Sequence, residues 1–327
     1  MPDAAIQHAH TDADFAGRLG AVAGEVGALL ERLLSTQPEE GELARPPRLL
    51  AAIRHATLGG GKRLRPFLTV ETAALFGAPR ERALMVGTAI ECVHCYSLVH
   101  DDLPAMDDDS LRRGQPTVHV AFDEATAILA GDSLLTFAFD LMARPESHPD
   151  PAVRIGLVSG LARAAGLGGM VGGQILDLAA EGRFGAGQGP SDERATLQMQ
   201  AMKTGALIQF ACEAGAMVAG ADMASREAVA RYGRALGQAF QIADDLLDLE
   251  GDSAALGKAT GKDDARGKAT LAALLGRERA HARLEALIDE AESALAPFGA
   301  KDSETKASET KASTLMAAAR FVAQRKS

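Results

Sequence analysis

Apolar residues recur at three- and four-residue intervals through most of this chain. Residues 15–34, 82–100, 198–218 and 226–249 each carry one apolar stripe, the signature of an amphipathic helix. Alternating runs of Val, Ile, Thr and aromatic residues are nearly absent, so strands are not expected. Glycine, proline and small polar residues cluster at 37–47, 59–61, 77–79, 112–116, 144–151, 182–191 and 251–267, which are read as the breaks between helices. Residues 301–313 repeat Ser-Glu-Thr-Lys-Ala-Ser with a shared serine and offer no apolar face; they are expected to be an exposed, mobile loop before a last helix at 314–324. The predicted fold is all-α.

At 327 residues the chain exceeds the usual single-core size. No Pro/Gly/Ser linker divides it, so one large domain over 1–327, a helical bundle built round a central cavity, is favoured over two domains. Alanine and glycine are abundant, Trp is absent and aromatics make up 4%, which suits close helix packing. The formal net charge of −10 argues against nucleic acid and anionic membrane as partners. Cys92, Cys95 and Cys212 cannot build a disulfide framework, and no secretory leader pattern precedes residue 30, so a cytoplasmic protein is expected. The apolar stretch 125–142 is interrupted by Asp132 and Asp140, and no membrane span is expected.

Two aspartate clusters change the picture from a generic bundle to a chemical one. Each follows an apolar helical run: Asp101-Asp102-Leu103-Pro104-Ala105-Met106-Asp107-Asp108-Asp109, and Asp244-Asp245-Leu246-Leu247-Asp248. Magnesium takes hard oxygen ligands and is usually held by one or two carboxylates plus substrate phosphates, so two such clusters on opposite walls imply a bound diphosphate. Asp244 and Asp248 are four apart and share a helix face. Asp101 and Asp107 are six apart and would oppose each other on a regular helix, but Pro104 lies between them. A bulge there brings Asp107 round to Asp101; a helix that stays regular offers Asp108 instead.

An acidic protein that binds diphosphate must concentrate its basic groups locally. Gly59-Gly60-Gly61-Lys62-Arg63-Leu64-Arg65 sets three cations after a glycine run, and Arg112-Arg113-Gly114 directly follows the first aspartate cluster. The glycine run is not a nucleotide P-loop, because Ala56 and Arg63 stand where that motif needs Gly and Ser/Thr. An arginine fork suits phosphate oxygens. His94 lies between Cys92 and Cys95, but no second Cys/His pair stands at ligand spacing, which excludes a zinc site. No nucleophile elbow supports a Ser/His/Asp hydrolase.

These motifs, in this order, resemble the trans-isoprenyl diphosphate synthases, and within them the bacterial farnesyl diphosphate synthases. The match runs from about Arg48 to the C-terminus. It takes in the glycine-basic segment, residues 91–109, Arg112-Arg113-Gly114, Gly172-Gly173-Gln174 with Asp177-Leu178, Lys203-Thr204, Phe240-Gln241, the second aspartate cluster and Gly257-Lys258. Residues 269–271 read Ala-Thr-Leu where the family usually has Thr-Tyr-Pro, and the C-terminus ends Gln-Arg-Lys-Ser.

The resemblance implies an isoprenoid synthase-type fold and a prenyltransferase. Asp101, Asp107 and Asp244 would bind Mg²⁺, three ions with substrate present, and the catalytic set would include Asp102, Asp245, Asp248, Lys203, Thr204 and Gln241. Lys62, Arg65, His94 and Arg113 would hold isopentenyl diphosphate; Arg112, Lys203 and Lys258 would contact an allylic diphosphate, dimethylallyl or geranyl. Thr204 and Gln241 would face the allylic cation, and the released diphosphate would take the proton. A helix rises about 1.5 Å per residue, so Tyr96 and Ser97 lie roughly 6–8 Å below Asp101, where a growing prenyl tail must pass. An aromatic five residues before the first aspartate goes with the fifteen-carbon product in the family, and the Pro104-Ala105 insertion with its bacterial type. The family also implies a homodimer. Geranylgeranyl or geranyl diphosphate synthesis is the near alternative. A terpene cyclase would not need Lys62, Arg65 and His94, and a non-catalytic subunit would not need both aspartate clusters.

Overall fold

The computed structural model describes residues 3–185, 192–250, 271–299 and 309–324. Lys258, the 251–267 break and the C-terminal 325–327 lie outside the described residues, as do 301–308 of the expected loop.

The described chain is all-α apart from one small hairpin. Helix α1 (Asp3–Leu33) turns Phe15, Leu19, Val22, Val26, Leu30 and Leu33 inward at helical spacing. It is pinned to the third helix, α3 (Leu64–Leu75), by a 2.5 Å ion pair from Arg18 to the buried Glu71. Helix α2 (Pro47–Leu58) starts on a proline, whose missing N–H is no loss in a first turn. Helices α3 (Leu64–Leu75) and α4 (Arg80–Asp101) follow. Buried residues occur on every face of α4, which packs against α1, α2, α3, α6 (Glu124–Ala143) and α10 (Ala206–Val218). It is the central helix of the bundle.

The hairpin pairs Leu111 with Pro116 and Arg112 with Gln115, and α5 (Val118–Ala121) follows it. Helix α6 (Glu124–Ala143) begins on Asp123, whose carboxylate accepts from the Thr126 N–H at 2.7 Å. Helices α7 (Pro151–Ala165) and α8 (Met170–Ala180) come next. The segment expected as one helix at 198–218 is three pieces that follow one another without a break. These are α9 (Glu193–Gln200), a π-helical turn (Ala201–Gly205) and α10 (Ala206–Val218). Helix α10 crosses α3 so closely that a Cβ on Gly215 would lie 2.5 Å from the carbonyl oxygen of Thr69.

Helix α11 (Met223–Glu250) packs on α10 and on α13 (Arg277–Leu295), with the short α12 (Leu271–Leu275) between them in sequence. The last helix, α14 (Glu309–Ala323), starts earlier than the expected 314. Residues 309–313 contain neither glycine nor proline, so nothing stops the helix from taking them in. The buried Tyr232 hydroxyl donates to Leu315 O at 2.7 Å and ties α14 to α11.

By length and composition alone, three described stretches reach what a membrane span requires. Arg80–Asp101, Glu124–Ala143 and Pro151–Ala180 are each long and apolar enough to cross one. Asp132 and Asp140 do not lower the average of Glu124–Ala143 enough to exclude it. Here α4 is largely enclosed by other helices, whereas α6, α7 and α8 leave Ile128, Leu129, Ile155, Val171 and Ile175 exposed.

Candidate active site

The first aspartate cluster begins where α4 ends. Pro104 cannot continue a helix, and the chain folds back through Leu103–Asp109 by turn bonds: Met106 N–H donates to Leu103 O at 2.8 Å and Asp108 N–H to the same oxygen at 3.1 Å. The turn returns Asp107 to the helix end, where its N–H donates to Asp101 O at 2.8 Å. The bulged arrangement is therefore the one adopted, and Asp108 is exposed, with φ of +52°. Burial pushes the Asp101 carboxyl up to about 6; Lys203 acts against that shift and Asp107 adds to it.

Asp102, expected among the catalytic carboxylates, faces inward and is 3% exposed. Arg112 grips it with a fork: Nε to Oδ1 at 2.8 Å and to Oδ2 at 3.0 Å, and Nη2 to Oδ1 at 2.6 Å. The arginine expected on the allylic diphosphate is thus anchored on the cluster itself, and the pair fastens the hairpin to the end of α4.

Two side chains one helical turn apart on α8 link this wall to the next. Gln174 Nε2 donates to Asp101 Oδ1 at 2.8 Å, and Asp177 Oδ2 accepts from Lys203 Nζ at 2.5 Å. Helix α8 can approach the π-helical turn because residue 173 is glycine: a Cβ there would lie 2.2 Å from the backbone nitrogen of Lys203. Beyond Lys203, Thr204 Oγ1 donates to Gln241 Oε1 at 3.1 Å, and Gln241 Nε2 donates to Asp245 Oδ1 at 3.2 Å. Asp245 Oδ2 accepts from Gln200 Nε2 and from Leu271 N–H, both at 3.0 Å. Burial lifts the Asp245 carboxyl to about 6 against the pull of these donors. Asp245, like Asp102, faces the protein, while Asp244 and Asp248, one turn apart on α11, lie exposed.

Among the described residues no three His, Cys, Asp or Glu side chains converge on one point. The donors come in pairs on separate walls, and the buried Asp101 carboxylate is one that a cation would stabilise. That donor set fits magnesium, which completes its shell with water and phosphate oxygens rather than with a cage of side chains.

The basic group comes from the segment leading into and opening α3 and from the hairpin. Arg63, at φ +50° just before α3, turns into the core and pairs with Glu91, so one of the three cations after the glycines is structural. Arg65 keeps a buried Nε without a hydrogen-bond partner. Arg113 Nη1 donates to Gly60 O, which docks the hairpin on the glycine run. The His94 imidazole is held well below its usual range by burial first, then by Arg65, Arg113, Arg63 and Arg112. Lys62 lies 5.7 Å over the Phe321 ring of α14. Arg65, His94 and Arg113 therefore share one electropositive field, suited to an anion.

Tyr96 is buried, with its ring edge-on to His100 at 5.7 Å. Its phenol is pushed up to about 12 by burial and then by the nearby Asp101 charge. Ser97 is half-buried and its Oγ donates to His94 O at 2.9 Å. A separate cavity of about 370 Å³ opens between α6 and the segment joining α1 to α2, near Leu34, Pro46 and Phe137, and none of the residues above lines it.

Sequence reading missed Gln200 and the inward roles of Arg63, Asp102 and Asp245, and it gave Gln174 and Asp177 no part. The spacing of those last two, three apart just after a glycine pair, was the available signal.

The polyprenyl synthetase family profile matches residues 46–298. The chain is 42% identical over 297 residues to the farnesyl diphosphate synthase of Escherichia coli K12, covering 90% of this chain and 95% of that one. It is 40% identical over 307 residues to the farnesyl diphosphate synthase of Haemophilus influenzae, with 93% and 97% covered. The apo crystal structure of an FPP/GFPP synthase from Zymomonas mobilis matches with a TM-score of 0.81 at 42% identity, covering 95% of this chain and 99% of that one. The chain belongs to the polyprenyl synthetase family.

Proposed function

We propose that the protein is a magnesium-dependent trans-prenyltransferase that condenses isopentenyl diphosphate with dimethylallyl or geranyl diphosphate to give (2E,6E)-farnesyl diphosphate. The observation that carries this reading is the pairing of two different anion sites. One is the carboxylate walls joined through Gln174, Asp177, Lys203, Thr204 and Gln241. The other is the basic cluster of Arg65, His94 and Arg113, whose positive charges act together on the histidine.

Asp101, Asp107 and Asp244 are the residues that would hold magnesium. When bound, the ions supply positive charge to the departing diphosphate. Lys203, oriented by Asp177, reaches the same leaving group, as does Arg112 from its anchor on Asp102. Arg65, His94, Arg113 and Lys62 hold the isopentenyl diphosphate at its own site, so the two substrates are brought together and the reaction becomes effectively unimolecular. Thr204 and Gln241, fixed by their mutual hydrogen bond, direct preorganised dipoles at the allylic cation. Tyr96 closes the space below Asp101 and limits the tail to fifteen carbons.

The exposed apolar residues of α6, α7 and α8 support a homodimer, since an assembly would take them out of water. Water-soluble substrates accord with a cytoplasmic enzyme. The test is to incubate the protein with Mg²⁺, dimethylallyl diphosphate and labelled isopentenyl diphosphate, then size the dephosphorylated products. Farnesol as the main product is expected. Geranylgeraniol would keep the chemistry and remove Tyr96 as floor; no metal-dependent product from folded protein would overturn the reading.

A further inference from the structure

Helix α8 ends in a rigid cap. Gly182, at φ +77°, donates its N–H to Ala179 O at 3.0 Å, and the next residue, Arg183, donates its N–H to Leu178 O at 3.3 Å. These nested bonds are those of a Schellman motif, which fixes the backbone of the residue that follows the glycine. The side chain is braced as well, by a 3.0 Å bond from Nε to Glu181 Oε2. A surface arginine ordinarily samples many rotamers. This one is held at both ends.

Its guanidinium reaches the loop of the first aspartate cluster, 78 residues away in sequence: Nη1 donates to Ala105 O at 2.9 Å. Nη2 donates to Met106 O. These carbonyls belong to two successive peptide planes. The N–H ends of the same planes are the Met106 N–H, bonded to Leu103 O, and the Asp107 N–H, bonded to Asp101 O. Because a peptide unit is planar, fixing the oxygen at one end fixes the N–H at the other. The planar fork of arginine suits two neighbouring acceptors, which the single point charge of lysine cannot match.

We propose that Arg183 is a positioning residue for the first aspartate cluster. It clamps the 105–106 and 106–107 peptide planes so that Asp107 is held beside Asp101 before any cation arrives. The inference rests on the reading of Asp101 and Asp107 as magnesium ligands, and it assigns the preorganisation of that pair to the end of α8. Gln174 on the same helix holds the Asp101 side chain. Helix α8 thus braces the cluster by side chain at one point and by main chain at another.

The test compares Arg183→Met and Arg183→Lys with the unaltered protein, using calorimetric titration of inorganic pyrophosphate with and without Mg²⁺. Hydrogen exchange at the Asp107 amide is measured alongside. Arg183→Met should weaken Mg²⁺-dependent pyrophosphate binding by about tenfold, the usual scale for loss of a group that orients a metal ligand. Its Asp107 amide should exchange faster, its KM for isopentenyl diphosphate should not change, and Arg183→Lys should recover part of the loss. Binding within about twofold of the unaltered protein would overturn the proposal, because loss of an orienting group should exceed that. A lowered thermal midpoint with unchanged binding would also overturn it, leaving Arg183 merely structural. Asp101→Asn serves as the reference: if it leaves Mg²⁺-dependent binding intact, the metal reading itself fails, whatever Arg183 does.

Discussion

Arg63 and Glu91 form a 2.6 Å ion pair inside the protein, with side chains only 3% and 2% exposed. Removing one partner strands a buried charge, so Arg63→Ala should lower stability by about 3–5 kcal/mol. The double replacement Arg63→Met with Glu91→Leu should lose much less, because it removes both charges together. Chemical denaturation of the two variants and the parent tests this; an Arg63→Ala protein as stable as the parent would show that the pair contributes nothing.

His94 provides a pH signature. In the unfolded chain its imidazole titrates near 6.5, whereas burial and the surrounding arginines keep it neutral in the folded protein well below that value. The unfolded chain therefore binds the extra proton. The contribution of neutral His94 is fully present above pH of about 6.5 and is lost as pH falls toward the folded value. Substrate-free protein should show a denaturation midpoint that drops on acidification from neutral pH, with a shallower slope in His94→Gln. Equal slopes in the two proteins would exclude His94 as the source.

Gly173→Ala should be poorly tolerated. The added Cβ would meet backbone, 2.2 Å from the nitrogen of Lys203, and backbone inside a helix cannot step aside. Overpacking of this kind costs about 1–3 kcal/mol. Here the strain falls on the Asp177–Lys203 contact, so turnover should fall along with the melting temperature. Unchanged turnover would mean that α8 and the π-helical turn can separate without harm to the site.

Tyr96→Ala should lengthen the product. The ring is enclosed one turn before Asp101 and is backed by His100. Deleting it opens space along the path below the carboxylates. Product sizing reads the outcome directly, and an unchanged distribution would return Tyr96 to ordinary core packing.

The helices were readable in the sequence because their apolar spacing persists for several turns, and Pro104 correctly signalled that α4 could not run on to Asp108. The hairpin was not readable, since two-residue strands are too short to show alternation. The inward turn of Arg63, Asp102 and Asp245 was also hidden: charge alone does not tell whether an acid meets water, a metal or a buried arginine. Those choices depend on partners 28, 10 and 45 positions away, at Glu91, Arg112 and Gln200. The start of α14 was misplaced because a polar repeat without helix breakers can still be taken into a helix.

The π-helical turn at Ala201–Gly205 makes the winding of this segment itself a functional variable. A π turn fits one more residue into a coil than an α turn does. Rewinding the turn as α-helix with all five residues kept would swing α9 about 100° around α10. Gln200 would then leave Asp245, or Lys203 would leave Asp177. Substitutions here change single contacts, whereas loss of the π geometry would disengage one wall of the site from the other with every active-site side chain still present.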